Sequence, residues 1–270
     1  MKKYPIFLIA VICLIIVISL LGGGLLTYHS VSAKLQNNSR TYFLREDAPA
    51  LPDVRAKSYL VADISTGEIL LESNLDEIYP IASLSKLSTA MAAIKLGLPD
   101  RNMLYPLLLE SDNYMAEFIA GLFGRDNFLL EMNSQVMALG MKSTHYADPS
   151  GLSPSNTSTS RDLLVLMRYL YDTHPDLINI TRLAWKTVGD TTWNSNNLFV
   201  QEGITNYLGG KSGNTLLAGG TLISIFALPL ADNELRPVVV ILLGTASEKN
   251  VKYEVTESII DYVEKYVYYK

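Results

Sequence analysis

The sequence predicts an α+β fold, with an antiparallel sheet built from both chain ends and a helical subdomain between them. Three observations predict it. Strand-like apolar runs cluster early and again late, helical periodicity fills the middle, and the late strands are joined too tightly for a parallel crossover. The 270 residues are 49% hydrophobic, enough for a substantial core. A net charge of −5 offers no basic face for nucleic acid, so none is expected as a partner. One cysteine, Cys13, excludes a disulfide framework, and three histidines make a histidine-built zinc centre a poor expectation.

The first element is apolar. No Asp, Glu, Lys or Arg occurs between Lys3 and Lys34, and residues 5–27 are long enough to cross a bilayer as a helix. Two lysines ahead of it favour a cytoplasmic N-terminus. Residues 1–28 are expected to be either a retained transmembrane anchor or a signal peptide cut near Ala33. Both readings put the remainder outside the cytoplasm, at the outer face of the cell membrane or released from it. Residues 29–57 read as a polar linker containing prolines.

A folded domain is expected over 58–266. "SYLVADISTGEILLESN" is a hairpin around Ser65-Thr66-Gly67. "SLSKLSTAMAAIKLG" is a helix stopped at Gly97. "MLYPLLLESDNYMAEFIAGLFG" and "NFLLEMNSQVMALG" continue as helices, and "SRDLLVLMRYLYDTH" is another with Ser160 as N-cap. "GGTLISIFALPL" and "RPVVVILLGT" are strands about the turn "ADNE", and an amphipathic helix closes the chain.

Three short motifs carry chemistry. Ser83 and Lys86 stand three apart on a helix, so hydroxyl and amine share one face among small and apolar neighbours. A lysine acts as a base only when neutral, and burial or a second cation lowers its pKa. Two like charges about 4 Å apart at an effective dielectric near 20 repel by roughly 4 kcal/mol, or about 3 pKa units. Lys211, within "GGKSGNT", is the expected second cation. That stretch is not a phosphate loop, because Thr205 stands where the loop needs glycine and a strand follows where it needs a helix. Ser111-Asp112-Asn113 is the third motif; alone it reads as a cap or turn.

Taken in order, Ser-x-x-Lys, Ser-x-Asn and Lys-Ser-Gly resemble the signature of penicillin-binding proteins and serine β-lactamases. The blocks "VADISTGEILLESNLDEIYPIASLSKLSTA", "MNSQVMALGMKSTHYADPSGLS", "STSRDLLVLMRYL" and "GGKSGNTLLAGGTLISI" are similar to the low-molecular-mass D-alanyl-D-alanine carboxypeptidases of peptidase family S11. The resemblance spans roughly residues 58 to 263. It implies a β-lactamase/transpeptidase-like fold, with Ser83 as acylated nucleophile, Lys86 as its base and Ser111 as a proton relay. It implies that Asn113 holds the substrate carbonyl and Lys86, that Lys211 and Ser212 anchor the terminal carboxylate, and that Gly213 lets the peptide lie on the strand. Backbone N–H groups of Ser83 and Asn214 would form the oxyanion hole. The implied partners are peptidoglycan stem peptides and, as covalent inhibitors, β-lactams, with neither metal nor cofactor.

Departures from the family pattern are expected to matter. Ser83 and Ser111 are only 28 positions apart, which implies a lower cleft rim and puts substrate preference in question. Beyond the last strand only Lys249 and Lys252 stand where relatives often carry an arginine. The chain ends soon after its last helix, so attachment to the membrane is expected at the N-terminus. Asp148-Pro149-Ser150-Gly151 reads as a structural turn. Alternatives are an inactive peptidoglycan- or penicillin-binding protein, a D,D-endopeptidase, and a class A β-lactamase, which would need a deacylating carboxylate such as Glu131.

Overall fold

Alternation along the strands sorts side chains between two cores. Val239, Ile241 and Leu243 enter one apolar cluster, whereas Val238, Val240 and Leu242 enter another. Leu60 and Ala62 join the first and Val61 the second. A sheet buried on both faces needs near-continuous apolar strands, and "PVVVILL" supplies one. Each fully buried Val, Leu or Ile contributes about 1.5–3 kcal/mol, so these strands contribute strongly to stability on both faces.

The computed structural model describes residues 42–231 and 234–269. The expected anchor, with Cys13, and residues 29–41 of the expected linker lie outside the described residues. Among the described residues no helix is long and apolar enough to cross a membrane.

The described strands are β1 (Tyr42–Leu44), β2 (Ser58–Asp63), β3 (Ile69–Ser73), β4 (Tyr79–Pro80), β5 (Thr157–Ser158), β6 (Trp185–Val188), β7 (Thr191–Asn194), β8 (Tyr207–Thr215), β9 (Gly219–Ala231), β10 (Glu234–Thr245) and β11 (Val267–Tyr269). The helices are α1 (Ser85–Lys95), α2 (Asn113–Leu122), α3 (Arg125–Ala138), α4 (Ser160–Thr173), α5 (Pro175–Thr181), α6 (Leu198–Gln201) and α7 (Val251–Tyr266). The main sheet runs β3-β2-β10-β9-β8, all antiparallel, so it joins early and late strands as the sequence predicts. The central helices pack on one face; α7 covers the other through Tyr253, Val255, Ile259 and Val263.

Three local readings change. Part of the expected linker is structural: β1 pairs with β11, and Tyr42 donates its hydroxyl to buried Asp63, which Arg236 also holds at 2.7 Å. The N-cap of α4 is Thr159, whose hydroxyl accepts from Asp162 N at 3.1 Å; Ser160 is instead the first helical residue. Helix α2 is preceded by one π-helical turn, Pro106–Glu110, which ends at Ser111 in the left-handed conformation (φ 59°). Such turns concentrate at functional sites because they redirect a side chain.

Candidate active site

The polypeptide enters the site through a short helical turn, Ala82–Leu84, that runs into α1. Ala82 adopts φ 50°, a conformation that costs a non-glycine residue about 1–2 kcal/mol. Tight surroundings hold it there. Thr221 of β9 donates its hydroxyl to Ile81 O at 3.0 Å. A Cβ on Gly213 would lie 2.8 Å from Ser83 N, and one on Gly151 would lie 2.1 Å from Ala82 O. Gly151 also has φ +85°, so glycine is required there twice over. The resemblance reserved the bare Gly213 for substrate; Gly213 lines the cleft, and a Cβ there would also meet the Thr221 hydroxyl at 2.5 Å, Ser83 N at 2.8 Å and the Ala82 methyl at 3.0 Å.

One turn into α1, Lys86 is fully buried. Its Nζ lies 2.9 Å from Ser83 Oγ, 2.7 Å from Asn113 Oδ1 and 2.5 Å from Ser150 O. Two of these neighbours can only accept. A neutral amine therefore spends both N–H bonds on Asn113 and Ser150 and turns its lone pair to the Ser83 hydroxyl. Burial lowers the Lys86 pKa to about 8, against opposing pulls from the Asp148 and Asp112 carboxylates. Burial is the expected cause; the second cation expected in Lys211 does not figure among the charges acting on Lys86, and the two carboxylates that do act raise its pKa.

Ser150 is presented by the turn read as structural. Asp148 Oδ1 accepts from Ser150 N at 2.7 Å, Ser150 Oγ at 2.9 Å and Gly151 N at 2.5 Å, while Oδ2 accepts from Ser153 N at 2.6 Å. Burial alone would raise the Asp148 pKa, but these donors hold it below the usual value. The turn thus aims a carbonyl at the base, a function that sequence reasoning missed because any residue carries a carbonyl.

The second wall begins at Ser111. Its Oγ is buried and has no hydrogen-bond partner. Asp112 caps α2 by accepting from Tyr114 N at 2.7 Å and Met115 N at 3.1 Å, which turns Asn113 inward. Ser83, Ser111, Asn113, Ser212, Gly213 and Asn214 line one cleft of about 290 Å³. A second hollow, of about 380 Å³, lies at the far end of α1 among Met91, Ile94, Gln135 and Tyr169 and holds none of these groups. Glu131, the carboxylate named for a β-lactamase, sits at that far end, paired with Lys95 at 2.7 Å.

Lys211 is 1% exposed and points to the opposite face of β8 from Ser212, its Nζ donating to Ser212 O at 2.9 Å. Burial pushes its pKa well down, and the charges of Lys86 and Lys252 push further. The cations that do line the cleft are Lys249 and Lys252. Lys252 is buried, its pKa lowered by burial and then by Lys249, and no ion pair among the described residues includes either lysine. Ser212 is hydrogen-bonded by the Tyr253 side chain, and Asn214 Nδ2 donates to Ser247 O at 2.6 Å. In a chain of net charge −5, the cleft is locally cationic and suited to an anion.

The family model for D-alanyl-D-alanine carboxypeptidases, peptidase family S11, matches residues 45–98 and 95–244. The chain belongs to the S11 peptidases. The match is divided in the connection between Lys86 and Ser111, where the sequence is short. A D-alanyl-D-alanine endopeptidase of Pseudomonas aeruginosa is 34% identical over 44% of this chain and 48% of its own length. The D-alanyl-D-alanine carboxypeptidase DacA of Escherichia coli is 26% identical over 65% of this chain and 54% of its own. The chain thus spans about half the length of these curated relatives. Among solved structures, penicillin-binding protein D2 of Listeria monocytogenes in its cefotaxime-bound form is 26% identical, with a TM-score of 0.69 over 77% of this chain and 97% of that one. A D-alanyl-D-alanine carboxypeptidase of Mycobacterium tuberculosis shares the fold, with a TM-score of 0.70 at 23% identity over 82% of this chain and 95% of that one. This S11 peptidase is accordingly a low-molecular-mass penicillin-binding protein with the β-lactamase/transpeptidase-like fold.

Proposed function

We propose that this S11 peptidase is a serine-type D-alanyl-D-alanine carboxypeptidase that removes the terminal D-alanine from peptidoglycan stem peptides at the outer face of the cell membrane, tethered through residues 5–27. The observation that carries the reading is the 2.9 Å contact between Ser83 Oγ and a buried Lys86 amine. Neutral Lys86 takes the Ser83 proton as Oγ attacks the penultimate carbonyl. Asn113 and Ser150 already accept from Nζ, so the amine becomes an ammonium without turning. Backbone N–H groups of Ser83 and Asn214 receive the developing oxyanion. The C–N bond then breaks, and the proton passes from Lys86 through the unpartnered Ser111 hydroxyl to the departing amine. Water hydrolyses the acyl-serine and regenerates Ser83.

Ser212 and Lys252, backed by Lys249, hold the terminal carboxylate. β-Lactams acylate the same serine; the cefotaxime-bound relative supports this. A second reading, D,D-endopeptidase, is favoured by the endopeptidase names of three relatives and by the short rim between Ser83 and Ser111. It differs only in the leaving amine, which would belong to a neighbouring stem peptide. The carboxylate named for a β-lactamase, Glu131, is remote from Ser83 and paired with Lys95, and Asp148 is engaged by backbone donors, so neither supports a β-lactamase reading. Fluorescent penicillin should label the wild type and not Ser83→Ala, and the wild type should release D-alanine from a pentapeptide. Labelling that survives Ser83→Ala removes Ser83 as nucleophile; labelling without D-alanine release leaves a binder.

A further inference from the structure

The β6–β7 hairpin leads into the cleft. Asn194, the last residue of β7, donates its backbone N–H to Glu110 Oε1 at 3.2 Å, and Glu110 and Asn196 both line the cleft. The two faces of the hairpin differ. On the inner face, Trp193 stacks on Tyr105 with ring centroids 5.8 Å apart, and the Lys186 ammonium lies 5.4 Å from the same ring centre. Strand alternation puts Trp185, Thr187, Thr192 and Asn194 on the outer face, where the Thr187 and Thr192 hydroxyls bond at 2.8 Å. Trp185 is 65% exposed and sits directly opposite Asn194.

An exposed indole on a rigidly backed hairpin, ringed by hydroxyls and an amide, has the chemistry of a sugar-binding surface. A pyranose has one face of C–H groups, whose positive edges suit the negative face of an aromatic ring. Its hydroxyl and acetamido groups meet the threonines and Asn194. The Lys186 ammonium is taken up over the Tyr105 ring on the inner face, and Asp190 at the hairpin turn disfavours a nucleic acid or an anionic membrane. The distances fit as well. Trp185 lies about 5 Å across the strand pair from Asn194, and two residues reach Asn196 in about 7 Å. The four stem-peptide residues before the scissile bond extend over about 13 Å.

We propose that the outer face of the β6–β7 hairpin, centred on Trp185, is a saccharide platform that receives the N-acetylated glycan from which the stem peptide hangs. The peptide's place in the cleft rests on the carboxypeptidase reading. The test compares kcat/KM for a free stem pentapeptide with that for the same peptide on its disaccharide. The full-length wild type is expected to prefer the disaccharide-linked form about three- to tenfold. Trp185→Ala is expected to abolish that preference while leaving turnover of the free peptide unchanged, and Trp185→Phe to retain part of it. Equal use of both substrates by the wild type, or an equal loss on both in Trp185→Ala, overturns the platform. Independently of catalysis, the Trp185 indole N–H resonance should move on titration with a β-1,4-linked N-acetylglucosamine tetramer, and the Trp193 resonance much less. An unmoved Trp185 resonance overturns the proposal. A moved resonance in a protein that turns over neither substrate would sustain the platform and refute the enzyme.

Discussion

Replacing Asp148 by Asn separates the two ways in which this carboxylate serves Lys86. Its Oδ1 takes three close donors, with Asn156 Nδ2 a more distant fourth at 3.5 Å, and its Oδ2 takes Ser153 N at 2.6 Å. With the amide oxygen kept at the three-donor position, the new NH₂ faces the Ser153 N–H, donor against donor. Losing that charge-assisted bond costs about 1.5–3 kcal/mol, and the remaining three weaken because their acceptor is neutral. The sign with pH follows from a folded pKa below the ordinary 3.8. The advantage of wild type over Asp148→Asn is present above about pH 3.8 and is lost as pH falls through the folded value. Urea melts across pH read this directly. The second effect is electrostatic: the Asp148 charge raises the Lys86 pKa, so removing it lowers that pKa further. The acid limb of penicillin acylation should therefore move to lower pH in Asp148→Asn. A purely structural role would depress the rate at every pH and leave the limb in place. An unmoved limb, or one displaced upward, refutes the electrostatic coupling; unchanged stability refutes the hydrogen-bond account.

Gly151→Ala puts a methyl group 2.1 Å from Ala82 O at a left-handed position. The conformation alone costs about 1–2 kcal/mol, and a nucleophile displaced by about 1 Å loses roughly a hundredfold in acylation rate, read by fluorescent penicillin labelling. Lys252→Gln should lower kcat/KM for D-alanyl-D-alanine peptides by at least tenfold by removing a buried, unpaired cation. Lys252→Arg should restore most of the activity, and peptides amidated at the C-terminus should be indifferent to both changes.

The sheet and the base were legible for the same reason: both depend on local pattern. The unbroken apolar run "VVVILL" and the three-residue step from Ser83 to Lys86 are local, and a local pattern survives in the sequence whatever surrounds it. Asn113 required the family pattern, since only the fold brings it across to Lys86. Ser150 could not be found at all, because it acts through a backbone carbonyl. The crowding of Gly213 by Thr221, Ser83 and Ala82 was not legible, because a bare strand position looks the same whether a ligand or the protein's own atoms lie against it. The pairing of β1 with β11 was hidden by its shortness, three residues on each side. The π-helical turn before Ser111 has no marker in the helical pattern of the sequence.

The pH dependence of Ser83 acylation, followed by intact mass after brief exposure to a penicillin, probes the neutral-lysine mechanism most directly. With Lys86 titrating at about 8, the second-order rate should climb nearly tenfold per pH unit from pH 6 to 7 and level off above about 8.5. A rate that is flat across this range, or one still climbing toward the ordinary lysine value of 10.5, would contradict it.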